Sequence, residues 1–167
     1  MNKMAESATF GAGCFWCSEM SFTGVNGVLA TRVGYMGGSK ENPKYDEVCG
    51  GETGHLEVVQ ITFDPSVIPF QRLVDIFWDS HNPVLFKEGC GESESQCRSA
   101  IFYHTEEQKS EAEASKRRVQ ASGRFRGVIS TLILPASRFW EADQRHQDYL
   151  AKIARSSCVN IRSGPPE

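Results

Sequence analysis

The sequence contains no apolar run long enough to cross a bilayer, and its start, Met1 to Glu6, lacks the apolar core of a secretion signal. These absences predict a protein that is not embedded in a membrane and that resides in the cytoplasm. An excess of positive charge is also missing, because the formal net charge is −3 and the one dense basic run is Lys116-Arg117-Arg118. A broad nucleic-acid-binding surface is therefore not expected.

Internal repeats and low-complexity segments are absent too, and 167 residues is the size of one ordinary domain. We expect a single domain over residues 1–167, with a mobile C-terminal tail from about residue 154. A chain of this size buries a core without covalent staples. In a reducing cytoplasm its six cysteines are better explained as reactive or metal-binding thiols than as a disulfide framework.

The residue pattern predicts an α+β fold. Strands are expected at 7–11, 28–35, 56–63, 99–104 and 128–134, and helices at 14–22, 70–80, 141–153 and between a Thr105 cap and Gly123. Alternating strands and helices with mixed hairpin and crossover links indicate helices packed on a mainly antiparallel or mixed sheet. The long loop 36–55 is expected to be functional, since long structureless loops are uncommon in compact domains.

Cys14 stands where two glycines end a strand and a helix begins, in the run Gly11-Ala12-Gly13-Cys14-Phe15-Trp16-Cys17. Free N–H groups and the helix dipole at that position favour a thiolate, so we predict a lowered pKa for the Cys14 thiol. The two aromatic residues that follow predict an apolar pocket beside the sulfur.

Eight motifs occur in order along the chain: GCFWC, VGYMGG, NPKY, EVCGGETGHLEV, FDPSVIPF, FWDSHNP, QCRSAIFYH and HQDYL. Together they resemble the peptide methionine-S-sulfoxide reductase A family over roughly residues 7 to 158. The resemblance implies a ferredoxin-like two-layer sandwich that acts as a monomer, and a reaction that uses no metal or organic cofactor. It also implies that peptide-bound or free methionine sulfoxide is the substrate and thioredoxin the reductant.

The resemblance assigns roles to five residues near the start of the chain. Cys14 attacks the sulfoxide sulfur and becomes a sulfenic acid, while Glu57 supplies a proton to the departing oxygen. Tyr45 donates a hydrogen bond to that oxygen. Phe15 and Trp16 hold the S-methyl group of the substrate.

Turnover then requires a second thiol that traps the sulfenic acid as a disulfide. Cys158 best matches the family's resolving cysteine. Cys17, one helical turn after Cys14, and Cys49, in the loop 36–55, are rival resolvers, and spacing alone does not separate the three. The histidines are expected to serve turns and caps: His55, His81, His104 and His146.

The segment 84–97 departs from the family pattern at two substrate-binding positions. Glu92 stands where the family has an aspartate, and Cys97 stands where it has a second oxygen-binding tyrosine. The same change suggests a second hypothesis, in which Cys14, Cys49 and Cys97 bind a soft metal ion or the scaffold serves a different sulfoxide. A third is a paralogue that binds methionine-like side chains without reducing them.

Overall fold

The computed structural model describes residues 4–84 and 99–162, with residues 157–162 described by their backbone alone. The described residues form strands β1 (Glu6–Ala12), β2 (Val28–Met36), β3 (Leu56–Phe63), β4 (Ser99–Tyr103), β5 (Leu132–Pro135) and β6 (Trp140–Glu141). The helices are α1 (Phe15–Phe22), α2 (Tyr45–Cys49), α3 (Phe70–Ser80), α4 (Glu106–Ala121) and α5 (Tyr149–Arg162). A 3₁₀ turn, Gln144–His146, precedes α5.

One sheet joins all six strands in the order β5-β4-β1-β3-β2-β6. Neighbouring strands are antiparallel except β4 and β5, which are parallel and are linked through α4. Its central part, β4-β1-β3-β2 connected as β1-α1-β2-β3-α3-β4, is the ferredoxin-like arrangement. The predicted α+β fold with a mainly antiparallel sheet is thus confirmed.

Alternation along β3 separates the two faces of the sheet. Val59, Ile61 and Phe63 belong to the main core under the helices, whereas Leu56 and Val58 belong to a smaller cluster on the opposite face. Glu57 has the same parity as Val59, so its side chain is on the helix-covered face. This register places a carboxyl group beneath the helical layer.

Aromatic stacking holds helices α1 and α3 on that face. The Phe10 ring of β1 lies 5.4 Å from the Phe22 ring of α1 and 5.2 Å from the Phe77 ring of α3, centroid to centroid. All three side chains are fully buried or nearly so. Because β1 leads directly into α1, this packing also fixes where the Cys14 turn lies.

Three element predictions need correction. The loop 36–55 contains α2, which is too short to leave a helical repeat in the sequence, and its Lys44 cap is held by the Glu47 carboxylate. Strand β5 covers only Leu132–Pro135, because its pairing with β4 rather than its apolar content sets its limits.

The predicted limits of the last helix, 141–153, are also wrong. The helix begins at Tyr149, because the φ of +52° at Asp148 is incompatible with a continuous right-handed helix. It continues to Arg162 instead of ending at Ile153. Cys158 is therefore on α5 rather than on an irregular tail. The mobility of the chain after residue 154 and the single-domain assignment stay predictions. Within residues 4–84 and 99–162, no helix has the length and apolar content that spanning a bilayer requires.

The buried Gln147 side chain completes the hydrogen bonding of the β2 edge. Its Oε1 accepts from the Val33 N–H at 2.8 Å, and its Nε2 donates to the Val33 carbonyl at 2.9 Å and to the Ala142 carbonyl at 3.0 Å. The side-chain amide of Gln147 thus pairs with Val33 as the backbone of a further strand residue would.

We expect Gln147→Ala to lower the free energy of unfolding by about 2–4 kcal/mol, because it leaves buried backbone groups unpaired. Urea unfolding measures the difference. The exposed Gln144 provides a matched control, and Gln144→Ala is expected to change stability by less than about 0.5 kcal/mol. Equal effects of the two substitutions would contradict this account.

Candidate active site

Cys14 is the residue that caps α1, immediately after β1 ends at Ala12. Gly13 makes the turn between them with φ +82°, a conformation that glycine adopts without strain. The Cys14 side chain is exposed, and the N–H groups of Trp16 and Cys17 at the start of the helix lower the pKa of its thiol. A nucleophile placed here is accessible to a substrate and lies at the positive end of a helix.

The prediction of a lowered thiol pKa is nevertheless wrong for the substrate-free protein. Desolvation is the largest influence on Cys14 and raises its pKa, and the negative charge of Glu57 raises it further. The two helix N–H groups offset only part of this increase. The side chain has exposed surface, but protein atoms replace enough of the surrounding water to disfavour the thiolate.

Glu57 lies beneath the same end of α1. Its side chain is only 9% exposed, and the Phe15 N–H, adjacent to Cys14 in the chain, donates to its carboxylate. Desolvation outweighs that hydrogen bond and raises the pKa of Glu57 to about 7. The carboxyl group can therefore carry a proton near neutral pH, as a general acid requires.

Tyr45 begins α2, on the other side of the α1 terminus. Its hydroxyl donates to the Cys49 sulfur, one helical turn later. Burial, followed by this hydrogen bond, raises the pKa of Tyr45 to about 12, so the phenol keeps its proton over the whole neutral range. The charges of Cys14 and Glu57 also influence this pKa, which indicates that the four groups share one site.

The two aromatic residues after Cys14 are not equivalent. Phe15 has no exposed surface and belongs to the core, where its ring lies 6.2 Å from the Tyr45 ring. Trp16 is partly exposed and stacks on Tyr149 at the start of α5, with 4.1 Å between the ring centroids. Trp16 therefore forms the accessible aromatic wall, with Phe15 behind it.

Two further aromatic side chains at this site were not predicted. Tyr35 is paired directly opposite Glu57 across β2 and β3, and burial raises the pKa of its hydroxyl. His146 lies in the 3₁₀ turn, in agreement with the turn role predicted for it, and it also accepts a hydrogen bond from the Trp16 indole. The motifs VGYMGG and HQDYL contain these residues, but only the fold shows their contacts with residues far away in the chain.

The other thiols are placed as follows. Cys17 is exposed on α1, Cys49 is half-buried at the end of α2, and Cys158 is on α5, with its side chain outside the described residues. Glu92 and Cys97 also lie outside the described residues. No group of three His, Cys, Asp or Glu side chains within 4–84 and 99–156 could hold a metal ion. The hypothesis that includes Cys97 is therefore untested.

Comparison with known proteins identifies the family to which this arrangement belongs. The family model for peptide methionine sulfoxide reductase matches residues 6–165. The chain belongs to the peptide methionine sulfoxide reductase family. As a member of this family it is an oxidoreductase.

Two relatives are similar in sequence to this reductase along nearly its whole length. The peptide methionine sulfoxide reductase MsrA of Methanothermobacter thermautotrophicus is 52% identical over 157 residues, which are 94% of this chain and 93% of that protein. The corresponding protein of Methanoculleus marisnigri is 51% identical over 159 residues, covering 95% of this chain and 97% of its own.

Solved structures of the family share the fold of this reductase. Reduced Mxr1 from Saccharomyces cerevisiae has a TM-score of 0.81 at 29% identity, and the match covers 90% of this chain and 87% of Mxr1. Methionine sulfoxide reductase A of Corynebacterium diphtheriae has a TM-score of 0.73 at 32% identity, with 89% and 74% covered.

Proposed function

We propose that this reductase converts methionine-S-sulfoxide, peptide-bound or free, to methionine through a sulfenic acid on Cys14. The observation that carries the proposal is the convergence of an accessible thiol and a carboxyl group of pKa about 7 at one helix terminus. The thiol supplies the electron pair and the carboxyl group supplies the proton.

The reducing step balances without a cofactor. The Cys14 sulfur attacks the sulfoxide sulfur and forms a sulfur–sulfur bond. The protonated oxygen then passes from the substrate sulfur to Cys14: the sulfur–oxygen bond of the substrate breaks, a bond from that oxygen to the Cys14 sulfur forms, and the sulfur–sulfur bond breaks as methionine leaves with its electron pair. The substrate sulfur is reduced by two electrons as Cys14 is oxidised to a sulfenic acid. The thiol proton passes to the carboxylate of Glu57, and Glu57 delivers a proton to the oxygen, so that it ends the step as it began.

Tyr45 supports the same transfer of oxygen. Its phenol, protonated throughout the neutral range, donates to Cys49 in the substrate-free structure and can donate to the sulfoxide oxygen instead. A preorganised donor of this kind stabilises the negative charge that gathers on the oxygen. The Trp16 ring offers apolar surface to the S-methyl group.

A second thiol completes the cycle. The Cys158 sulfur attacks the sulfenic sulfur of Cys14, water leaves, and a disulfide forms that thioredoxin reduces by thiol exchange. Mxr1, whose reduced form is 29% identical to this chain, has been solved in complex with Trx2. We place the protein in the cytoplasm, as a monomer, where such a dithiol reductant operates.

We expect one turnover without reductant to produce a disulfide between Cys14 and Cys158. Peptide mapping by mass spectrometry locates the bond, and Cys158→Ser should stop thioredoxin-dependent turnover after one methionine per chain. A disulfide from Cys14 to Cys17 or Cys49 in the unsubstituted protein would instead assign the resolving role to that rival.

The activity itself is tested with both epimers of a methionine sulfoxide peptide and dithiothreitol as reductant. The proposal expects methionine from the S epimer and none from the R epimer. Absence of methionine from the S epimer under these conditions would refute the proposed function. Loss of activity on adding a chelator would favour the soft-metal hypothesis.

A further inference from the structure

His146 is a buried polar residue at the site for which the reaction described above has no use. Its side chain is 5% exposed and lies in the 3₁₀ turn just before α5. Its ring contacts aromatic residues of both α1 and α2, since the centroid distances are 5.7 Å to Trp16 and 4.7 Å to Tyr45. One imidazole thus joins the two elements that surround Cys14.

The protonation state of this ring follows from its hydrogen bond. The Trp16 Nε1–H lies 3.2 Å from His146 Nδ1, and an indole nitrogen can only donate. Nδ1 must therefore be the acceptor, which leaves the proton of the neutral ring on Nε2. Burial lowers the pKa of His146 and so favours this neutral form.

The other ring nitrogen, Nε2, makes a histidine energetically unfavourable at this position. Nε2 is buried and has no hydrogen-bond partner among the described residues. Phenylalanine would fill the same space and stack on the same neighbours without leaving a buried donor unpaired. Packing alone therefore does not explain an imidazole here, whereas its accepting Nδ1 does.

Stacking gives the ring its second contact. The planes of His146 and Tyr45 are 27° apart, and those of His146 and Trp16 are 23° apart, so the imidazole faces both rings. Trp16 is the accessible apolar wall of the site, and Tyr45 is the hydroxyl donor. Small displacements of such groups have large kinetic effects.

We propose that His146 is a positioning residue with two separable tasks: Nδ1 holds the Trp16 indole by accepting its N–H, and the ring face holds Tyr45. The inference rests on the proposed function, because it assigns the first task to substrate binding and the second to oxygen transfer. Loss of the first should raise KM, whereas loss of the second should lower kcat.

Two variants separate these tasks. His146→Phe keeps a ring against Tyr45 but removes the acceptor, so we expect KM to rise about ten-fold with kcat nearly unchanged. His146→Asn offers an oxygen near the position of Nδ1 but no ring, so we expect kcat to fall about ten-fold with KM nearly unchanged. His104→Asn, which removes an exposed histidine bonded to Thr9, serves as the control and should alter neither.

The indole N–H resonances give a readout that needs no turnover. The chain has three tryptophans, and Trp78, whose indole donates to Ser115 Oγ at 2.9 Å, provides an internal reference. His146→Phe should shift the Trp16 resonance and leave that of Trp78 in place, while His146→Asn should keep the Trp16 resonance close to its original position.

The outcomes are distinct from those that test the function itself. An unmoved Trp16 resonance in His146→Phe would overturn the inference, as would equal changes of KM and kcat in both variants. If the unsubstituted protein failed to reduce the sulfoxide, the proposed function would fall. The resonance experiment would still decide whether His146 holds Trp16.

Discussion

Replacement of Cys14 by serine is expected to reduce turnover of methionine sulfoxide to the uncatalysed rate. A serine hydroxyl is a far weaker nucleophile than a thiol at neutral pH. Transfer of the sulfoxide oxygen to serine would also require an oxygen–oxygen bond, whereas sulfur accepts oxygen readily as a sulfenic acid. The substitution therefore removes the acceptor of the oxygen as well as the nucleophile. The rate of methionine formation with dithiothreitol measures the effect.

Cys17 offers a matched control on the same helix. It is exposed, lies one turn after Cys14 and changes by the same single atom in Cys17→Ser. We expect Cys17→Ser to keep the rate of the first turnover, since the nucleophile is intact. Turnover that survived Cys14→Ser and disappeared in Cys17→Ser would contradict the assignment of the nucleophile.

The second large effect is expected for Glu57→Gln, which should lower kcat/KM by about 10²–10⁴-fold. Glutamine retains the shape of the side chain and can accept from the Phe15 N–H, but it supplies no proton to the departing oxygen. The exposed carboxylate of Glu52, five residues earlier, is the control, and Glu52→Gln should be without effect. Methionine formation at several substrate concentrations gives kcat/KM for each.

The pH dependence distinguishes loss of the acid from damage to the site. The reaction requires that Cys14 and Glu57 together carry one proton. Below the Glu57 pKa of about 7, the two groups together carry two protons. They carry none above the raised pKa of Cys14. Activity of the unsubstituted protein should therefore rise as the pH increases through about 7 and fall only above the ordinary thiol pKa of about 8.5.

In Glu57→Gln the inflection near pH 7 should disappear. Only deprotonation of Cys14 then controls the rate, so activity should increase continuously towards the pKa of the thiol. An inflection that remained at about pH 7 in this variant would show that another group is responsible.

The Glu57→Gln variant should also be no less stable than the unsubstituted protein at about pH 8, because the buried charge that folding must desolvate is gone.

The parts of the fold that the sequence predicts best are those with long, regular patterns. Strand β3 and helix α3 were predicted with their observed limits, Leu56–Phe63 and Phe70–Ser80. Alternation in one and helical spacing in the other result from burial against a single core, so local sequence carries the information. Helix α2 and the start of α5 depend instead on a cap and a strained residue, which leave no periodic pattern.

The candidate site shows the same division. The chain places Cys14 and Trp16 at one helix terminus by local connectivity, and the family resemblance supplied Glu57 and Tyr45. The raised pKa of Cys14 could not be predicted, because it comes from desolvation by protein atoms that only the fold brings near. The contact between Trp16 and His146 spans 130 positions and has no local signal.

The central claim is that Cys14 receives the oxygen of the substrate. The direct test is one equivalent of methionine-S-sulfoxide added to Cys158→Ser protein without reductant, followed by a reagent that traps sulfenic acids and location of the modified residue by mass spectrometry. The account predicts one methionine per chain and an oxidised Cys14, either trapped or joined to another thiol. Methionine formed while Cys14 remains an unmodified thiol would contradict it.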